Sequence, residues 1–270
     1  MTASQHAAKH PEVWRRFSPR QTLLRYTWYL GVVAVAVWSI SALDVAWFFF
    51  LDAHVQALDM ATRMWPPELG YFRKVVGPLI ETIHIATLGT VATVLVAFPV
   101  AFLASRNTTF NAVTWFIGRF ILVASRSVNT VVWGLLFVAI FGPGPMAGIW
   151  AITFRSIGFL GKLVAEAIEE IDTGVVEAIE ATGASRLQVL WIGVLPQVLP
   201  VIYGTTVYRW DINIRESSVL GFVGAGGIGI VLYAAINQFL WQEVTVILIA
   251  VFGVVILSEF VSAAVRRRIT

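Results

Sequence analysis

Long apolar runs separated by short polar connections dominate the pattern of hydrophobic and polar positions in this chain. A helix needs about 20 apolar residues to cross the hydrocarbon core of a bilayer. Runs of that length predict six membrane-spanning helices, at approximately residues 28–50, 79–104, 119–141, 146–164, 194–213 and 240–264. The pattern therefore predicts an all-α integral membrane protein with about six transmembrane helices.

Basic residues cluster at the two ends of the chain and predict its orientation, because Lys and Arg are enriched on the cytoplasmic side of membrane proteins. The charge-free turn FGPGPMAG, which joins the third and fourth runs, belongs on the opposite side. We therefore expect a cytoplasmic segment at residues 1–27, one transmembrane domain at residues 28–265 and both termini in the cytoplasm. The basic residues at the two ends are Lys9, Arg15, Arg16, Arg20, Arg25, Arg266, Arg267 and Arg268.

A further apolar stretch, residues 221–239, follows the fifth run. As a seventh span it would place the C-terminal arginines outside, against the distribution of basic residues. Irregular backbone is tolerated at membrane depth where it is buried in protein or lines a cavity. We therefore expect a re-entrant or membrane-embedded element on the external side.

Composition supports the membrane assignment and narrows the function. The chain is 58% hydrophobic and 13% charged, with a mean hydropathy of +0.78, whereas soluble domains carry about 25% charged residues. Cysteine is absent from the sequence, which excludes disulfides and Cys-ligated metal sites. The net charge of +3 is small and its basic residues are dispersed, so we expect no nucleic-acid partner. We predict no catalytic and no metal-binding residues.

The segment GAGGIG at residues 224–229 fits the G-x-G-x-x-G spacing of a dinucleotide-binding turn. That motif also requires a preceding strand, a following helix and an acidic residue about 20 positions later. Charged residues precede the segment, and the next acid, Glu243, comes too soon, so we predict no nucleotide site. Gly224, Gly226 and Gly227 permit either an anion-binding nest of backbone amides or close helix packing, and the sequence leaves both open.

The longest cytoplasmic connection, at about residues 166–193, is amphipathic and is interrupted by Gly174 and Gly183. We expect a helix, a turn that glycine permits and a second short helix, which together form a protrusion on the cytoplasmic face. A solvated loop whose charges avoid lipid is the alternative.

This connection resembles the E-A-A-x-x-x-G-(x)9-I-x-L-P signature of permease subunits of bacterial ABC importers, with the same spacing. Ile179 stands at the third position in place of Ala, and Gly193 at the position of Ile. Several blocks between residues 126 and 229, among them VVWGLLF, GVLPQVLP and VYRWDINIRESSVLGFVGAGGIG, resemble more narrowly the phosphonate transporter permeases. The residues to which the resemblance assigns ATPase coupling are Glu177, Ala178, Gly183, Ala184, Leu195 and Pro196.

The resemblance implies a type I ABC importer permease fold with a cytoplasmic coupling helix, in the bacterial inner membrane. Besides membrane lipid, the implied partners are a dimer of ATP-binding subunits, an extracytoplasmic substrate-binding protein and a second copy of the permease. ATP and Mg belong to the ATP-binding subunits, so this chain is expected to hold no cofactor and to catalyse no reaction.

The implied substrate is phosphonate or a related phosphorus oxyanion, with phosphite, hypophosphite, phosphate or another small solute as alternatives. A stand-alone secondary transporter is a competing hypothesis, but the sequence shows neither clear inverted-repeat halves nor a clear set of intramembrane acids for ion coupling. A membrane enzyme is a further hypothesis, for which the sequence offers no evident metal-ligating cluster.

Polar residues inside the predicted spans are candidates for the translocation pathway, because charge in hydrocarbon is costly and usually functional. Arg126 lies about 10 Å deep in the third run, where it either meets the anion or snorkels to the headgroups, and we predict Asn129 on the same helix face. An ionisable cluster near the end of the fifth run either receives phosphoryl oxygens through arginine or forms an ion-paired network. The candidate pathway residues are Arg126, Asn129, Arg209, Asn213, Arg215, Gly224, Gly226 and Gly227.

Overall fold

The computed structural model of the protein describes residues 19–43 and 46–269. The chain divides into two compact units, residues 1–59 and 60–270. The first unit contains α1 (Pro19–Ala42) and the beginning of α2 (Trp47–Met64). Of the predicted cytoplasmic segment, residues 1–18 lie outside the described residues, and the remainder belongs to α1.

The second unit is built from helices, and the described residues contain no β-strand. This arrangement confirms the predicted all-α class. A 3-10 turn precedes α3, and a π-helical turn, Val189–Val194, joins α8 to α9. The helices are α3 (Phe72–Ala104), α4 (Ala112–Ser127), α5 (Thr130–Phe141), α6 (Pro145–Glu169), α7 (Thr173–Glu180), α8 (Arg186–Gln188), α9 (Leu195–Leu220), α10 (Ile228–Asn237) and α11 (Trp241–Ile269).

The number of spans agrees with the prediction. Within the described ranges, five helical segments are long and apolar enough to cross a membrane, and α4 and α5 make a sixth when the bent pair is counted as one span. α10 has 10 residues and rises only about 15 Å, half of the hydrocarbon thickness, so it is too short to be a seventh span. The five single segments are Arg20–Ala42, Leu69–Ala104, Pro145–Glu169, Arg186–Val223 and Trp241–Arg267.

The predicted first span, residues 28–50, is wrong at its C-terminal end. α1 ends at Ala42, and residues 47–50 begin the separate helix α2. α2 carries polar side chains at intervals, and the Gln56 amide donates to Asp52 at 2.9 Å. This mixture of polar and apolar positions explains why α2 does not qualify as a span.

The predicted third span, residues 119–141, is broken in the structure. α4 and α5 meet at an angle of 95°, because Val128 and Asn129 have extended backbone conformations. The Asn129 side chain accepts a hydrogen bond from the Val131 amide at 3.0 Å and so caps α5. The predicted common helix face of Arg126 and Asn129 is therefore wrong, since the two residues lie on opposite sides of the break.

α6 is the central helix of the second unit and packs against α3, α4, α5 and α9. The preceding turn starts it sharply: Gly142 and Gly144 have φ of +83° and +141°, and Pro145 occupies the first turn, where its missing amide hydrogen is tolerated. Small residues then permit close helix contacts. A Cβ added to Gly158 would lie 2.3 Å from the Leu122 carbonyl oxygen of α4.

Gly158→Ala should therefore lower the melting temperature of the purified protein. The added methyl group overlaps α4, and overpacking of this kind costs about 1–3 kcal/mol. Gly204→Ala is the matched control, because nothing lies within 4 Å of its Cβ position and Ala is favoured over Gly in a helix interior. Thermal unfolding in detergent should show a fall of several degrees for the first variant only. Equal responses would contradict the close packing of α4 on α6.

Candidate functional site

The cytoplasmic connection predicted from the signature folds as two short helices around a glycine turn. α7 begins after Asp172, whose Oδ1 accepts a hydrogen bond from a backbone amide of the first turn at 2.8 Å. Val176 and Ile179 are half-buried toward the π-helical turn, whereas Glu177 and Ala178 are exposed. The predicted helix, turn and short helix are thus present, and two signature residues are open to contact from outside the chain.

The turn between α7 and α8 depends on a left-handed glycine. Gly183 has a φ of +81°, a conformation that costs other residues about 1–3 kcal/mol, and its amide donates to the Glu180 carbonyl at 2.9 Å. No atom lies within 4 Å of its Cβ position, so the constraint within the chain comes from the backbone. Ala184 follows half-buried, and the Ser185 amide donates to the Gln188 side chain at 2.8 Å to start α8.

Gln197, in the first turn of α9, attaches this connection to the membrane-spanning helices. Its Oε1 accepts a hydrogen bond from the Asp172 amide at 3.0 Å, and its Nε2 donates to the Gly193 carbonyl at 2.7 Å. Leu195 packs half-buried against the hydrophobic core, and Pro196 is exposed. One side chain therefore joins the start of α7 to the start of α9, and relative movement of the two helices breaks these bonds.

An open groove of about 450 Å³ lies beside α7. One wall comes from the loop between α3 and α4, and the other from the segment between α6 and α9. Glu177, Glu180 and Arg186 supply its charged groups. Of the residues assigned to ATPase coupling, Glu177 lines this concave, charged surface.

The two departures from the importer signature contact each other. A Cβ added to Gly193 would lie 3.2 Å from Cδ1 of Ile179, so the isoleucine fills the space that a side chain at position 193 would need. The signature has a small residue, Ala, at the position of Ile179 and a large one, Ile, at the position of Gly193. In this chain the large residue stands at position 179 and the small one at position 193. The exchange preserves the packing of α7 on the π-helical turn.

Restoring the signature residues one at a time should disturb this contact, and restoring both should not. Gly193→Ile should lower the melting temperature through overpacking worth about 1–3 kcal/mol. Ile179→Ala should lower it by removing a partly buried contact. The double variant should be more stable than Gly193→Ile alone in thermal unfolding. A double variant that is no better than that single variant would mean that the two positions are not coupled.

α9 carries a buried polar face in its central part. Arg209, Asn213 and Glu216 are spaced at i, i+4 and i+7 and therefore share one side of the helix. Arg209 and Asn213 are buried, and Glu216 is half-buried. One guanidinium nitrogen of Arg209 lies 3.1 Å and 3.2 Å from the two carboxylate oxygens of Glu216. The guanidinium also lies 5.5 Å from the centre of the Phe159 ring.

Hydrogen bonds join this face to α3, α5 and α6. Ser156 of α6 accepts from Nε of Arg209 at 2.8 Å and donates to Oδ1 of Asn213 at 3.1 Å. The Asn213 amide donates to Thr90 of α3 at 2.9 Å. Thr130, the first residue of α5, donates at 2.6 Å to the carboxylate that pairs with Arg209. The sequence candidates Arg209 and Asn213 thus belong to one ion-paired, hydrogen-bonded network.

Arg215 lies on a different side of α9 and belongs to a separate ion pair. It binds Asp211, which also accepts a hydrogen bond from Ser258 of α11 at 2.6 Å. Asp211 is buried, whereas the Arg215 side chain is 46% exposed. α9 continues to Leu220, so the predicted end of the fifth span at residue 213 is wrong. α9 continues past residue 213 because its charged side chains form ion pairs with one another, Arg209 with Glu216 and Arg215 with Asp211.

The break between α4 and α5 lies beside this network. The exposed side chains of Arg126 and Asn129 flank the break. Arg155 of α6 contacts one side of it, where its guanidinium donates to the Arg126 carbonyl at 3.3 Å. Thr130 connects the other side to the network on α9. The structure thus brings Arg155, which the sequence reasoning missed, next to the pathway candidates.

The glycine segment forms a left-handed turn ahead of α10. Gly224, Gly226 and Gly227 have φ of +82°, +88° and +75°. The Gly227 amide donates to the Glu81 carboxylate of α3 at 3.0 Å, and the next amide donates to Thr82 at 2.8 Å. The two backbone amides at the start of α10 therefore donate to side chains of α3, and one of these acceptors is the carboxylate of Glu81.

Close packing accompanies this turn. A Cβ on Gly221 would lie 2.3 Å from the Ile230 nitrogen, and a Cβ on Gly148 would lie 2.4 Å from the Ala225 carbonyl oxygen. The sequence left open an anion-binding nest or close helix packing. The structure shows the close packing, and the amides of Gly227 and Ile228 donate to Glu81 and Thr82 of the chain itself.

Several functional candidates escaped the sequence reasoning although a signal for them was present. Glu81, Arg155 and Lys162 lie inside apolar spans, so the criterion that selected Arg126 also applies to them. Asn129 is a preferred N-cap residue type, which signals the start of α5. Among the residues that the structure describes, no group of His, Cys, Asp and Glu side chains is suited to a metal ion.

Comparison with known proteins identifies relatives that match most of the chain. Residues 97–270 match the family model of the binding-protein-dependent transport system inner membrane component. The chain is 38% identical over 237 residues to the phosphite transport system permease protein PtxC of Stutzerimonas stutzeri, covering 88% of this chain and 86% of that protein. It is 35% identical over 233 residues to the phosphate-import permease protein PhnE of Mycolicibacterium smegmatis, covering 86% of this chain and 43% of that protein.

Solved structures support the fold. A chain of the inward-facing MetNI methionine ABC transporter matches with a TM-score of 0.63 at 24% identity, covering 73% of this chain and 96% of that chain. The predicted type I ABC importer permease fold is therefore confirmed.

Proposed function

Because the chain belongs to the family of binding-protein-dependent transport system inner membrane components, we propose that it forms the pathway for phosphonate or a related small phosphorus oxyanion in an ABC importer. The observation that carries the substrate class is the 38% identity to a phosphite permease along 88% of the chain. The blocks that resemble phosphonate permeases support the same class. With its several apolar helices, the chain is a multi-pass inner membrane protein.

Both termini are assigned to the cytoplasm in this proposal. The support is the basic residues at both ends and their preference for the cytoplasmic side. With α4 and α5 counted as one span, the connection that contains α7 follows the fourth span and lies on the cytoplasmic side.

The energy for transport comes from a separate dimer of ATP-binding subunits, which hold ATP and Mg, and this chain binds no cofactor. The exposed residues Glu177 and Ala178 and the groove beside α7 are the surface offered to one of those subunits. A second copy of this chain completes the pathway, and an extracytoplasmic binding protein delivers the anion.

Uptake by cells that lack this chain tests the proposal. Labelled methylphosphonate, phosphite and phosphate are each offered to cells that carry the binding protein and the ATP-binding subunit, with or without the wild-type chain. We expect at least one of the three oxyanions to enter only when the chain is present. If none enters while the ATP-binding subunit still co-purifies with the chain, the substrate class is wrong and the subunit assignment stands.

A further inference from the structure

The most enclosed span of the protein carries an open, charged stripe. In the most apolar part of α6, 61% of the residues are buried, against 44% or less in the other four single spanning segments. Arg155, Phe159, Lys162 and Glu166 are nevertheless only half-buried. Their spacing of i, i+4, i+7 and i+11 places them along one side of the helix. We call this set the α6 stripe.

Arg155 lies near the middle of α6, the fourth predicted span. It lies about 15 Å from the start of α6 and about 21 Å from its end, so its depth does not depend on the orientation of the chain. Its guanidinium donates to the Arg126 carbonyl at the break between α4 and α5. Within residues 19–43 and 46–269, Arg155 makes no ion pair.

The surroundings of Arg155 hold an excess of positive charge. Arg209 donates to Ser156, the residue next to Arg155 in the chain, at 2.8 Å, and Arg209 is paired with Glu216. The carboxylate of Glu216 therefore balances one of the two guanidinium groups. A charged side chain at this depth is stabilised by a water-filled cavity, a counter-ion or backbone carbonyls, and the one carbonyl that Arg155 contacts, that of Arg126, leaves its charge unbalanced. A transported anion supplies that counter-ion.

The C-terminal part of the α6 stripe, Lys162 and Glu166, also requires contact with water. Lys162 and Glu166 form an ion pair at 3.2 Å, and their side chains are 41% and 40% exposed. A charged pair with this exposure is costly against lipid and is stable beside an aqueous cavity. Arg155, Phe159 and the pair thus follow one another along a single line on α6.

We propose that the α6 stripe lines the translocation pathway and that Arg155 binds the phosphorus oxyanion at mid-membrane. The inference rests on the proposed function and names a residue for it. A guanidinium offers parallel N–H donors that match two oxygens of a phosphoryl group. Because Arg209 stays paired with Glu216, Arg155 acts as a single guanidinium, which keeps binding weak enough for release, as conduction requires.

Cysteine accessibility tests the α6 stripe without reference to the substrate. The natural chain has no cysteine, so Phe159→Cys and Lys162→Cys introduce single thiols. A charged methanethiosulfonate reagent is applied to membranes that contain the assembled transporter. The controls are Ala151→Cys, at a buried position of α6, and Phe252→Cys, at an exposed apolar position of α11.

We expect labelling at positions 159 and 162 and none at the two control positions. If Phe159→Cys and Lys162→Cys react no faster than Phe252→Cys, the α6 stripe does not face water and the proposal is wrong. This outcome is independent of which anion the importer carries.

Uptake of labelled phosphite with Arg155 variants tests the anion contact. Arg155→Gln should lower uptake by at least about tenfold and Arg155→Lys by less, because a charge-assisted hydrogen bond is lost in the first and partly kept in the second. ATP hydrolysis stimulated by the binding protein should persist in both. Arg20→Gln, an exposed arginine of α1, is the matched control and should transport normally.

Three results would count against Arg155 as the anion contact. If Arg155→Gln takes up phosphite at the wild-type rate, Arg155 has no role in transport. If its ATP hydrolysis falls by as much as its uptake does, the role of Arg155 is structural. If the wild-type chain carries none of methylphosphonate, phosphite and phosphate, the proposed substrate and the oxyanion contact fail together, whereas labelling of the α6 stripe still supports the pathway.

Discussion

Uptake of the transported anion should fall by at least about fivefold when Gly183 is replaced by valine, while the chain still inserts into the membrane. Gly183 holds a φ of +81°, where a β-branched residue is a rare outlier. The strain is worth about 1–3 kcal/mol, which shifts the population of the native turn by about 5- to 150-fold. α7 then leaves the position in which Glu177 and Ala178 are presented to the ATP-binding subunit.

Gly183→Asn separates the two physical reasons for a glycine at this position. Asparagine enters the left-handed region far more readily than valine, and no atom of the chain lies within 4 Å of the new Cβ. If the turn alone matters, Gly183→Asn should keep most of the uptake and still co-purify with the ATP-binding subunit. If the partner needs the space itself, both variants should lose transport. Normal uptake by Gly183→Val would remove the turn from the coupling mechanism.

The largest loss of stability should follow from Glu216→Gln. This change leaves the buried guanidinium of Arg209 without its carboxylate, and removing one member of a buried ion pair costs about 3–5 kcal/mol. It also weakens the bond from Thr130, which holds the start of α5 against α9. Thermal unfolding of the purified chain in detergent measures the effect as a fall in melting temperature.

Two further variants show whether burial and pairing are the cause. Arg209→Met combined with Glu216→Gln removes both charges and should be more stable than Glu216→Gln alone, because replacing both members of a buried pair is often nearly neutral. Lys162→Met is the matched control: the side chains of its pair with Glu166 are 41% and 40% exposed, and exposed pairs contribute about 0–1 kcal/mol. A double variant as unstable as the single one would show that the two charges are not coupled.

Local sequence pattern was sufficient for much of this protein. The runs at residues 79–104, 146–164 and 240–264 correspond to α3, α6 and α11, because about 20 consecutive apolar residues are recognisable without knowing what they contact. The spacing from Glu177 to Pro196 likewise indicated the connection that contains α7. These features depend on residues close in sequence.

Tertiary structure alone decided which polar groups meet inside the membrane. Asn213 reaches Thr90 across 123 positions, and Arg209 reaches Ser156 across 53, distances over which periodicity carries no information. The sequence therefore could identify Arg209 as a costly charge but not its partner. It could not show that, among the described residues, Arg155 contacts a backbone carbonyl and no carboxylate. Charges in hydrocarbon are stabilised by whichever groups the packed helices bring to them, so their roles follow from helix packing.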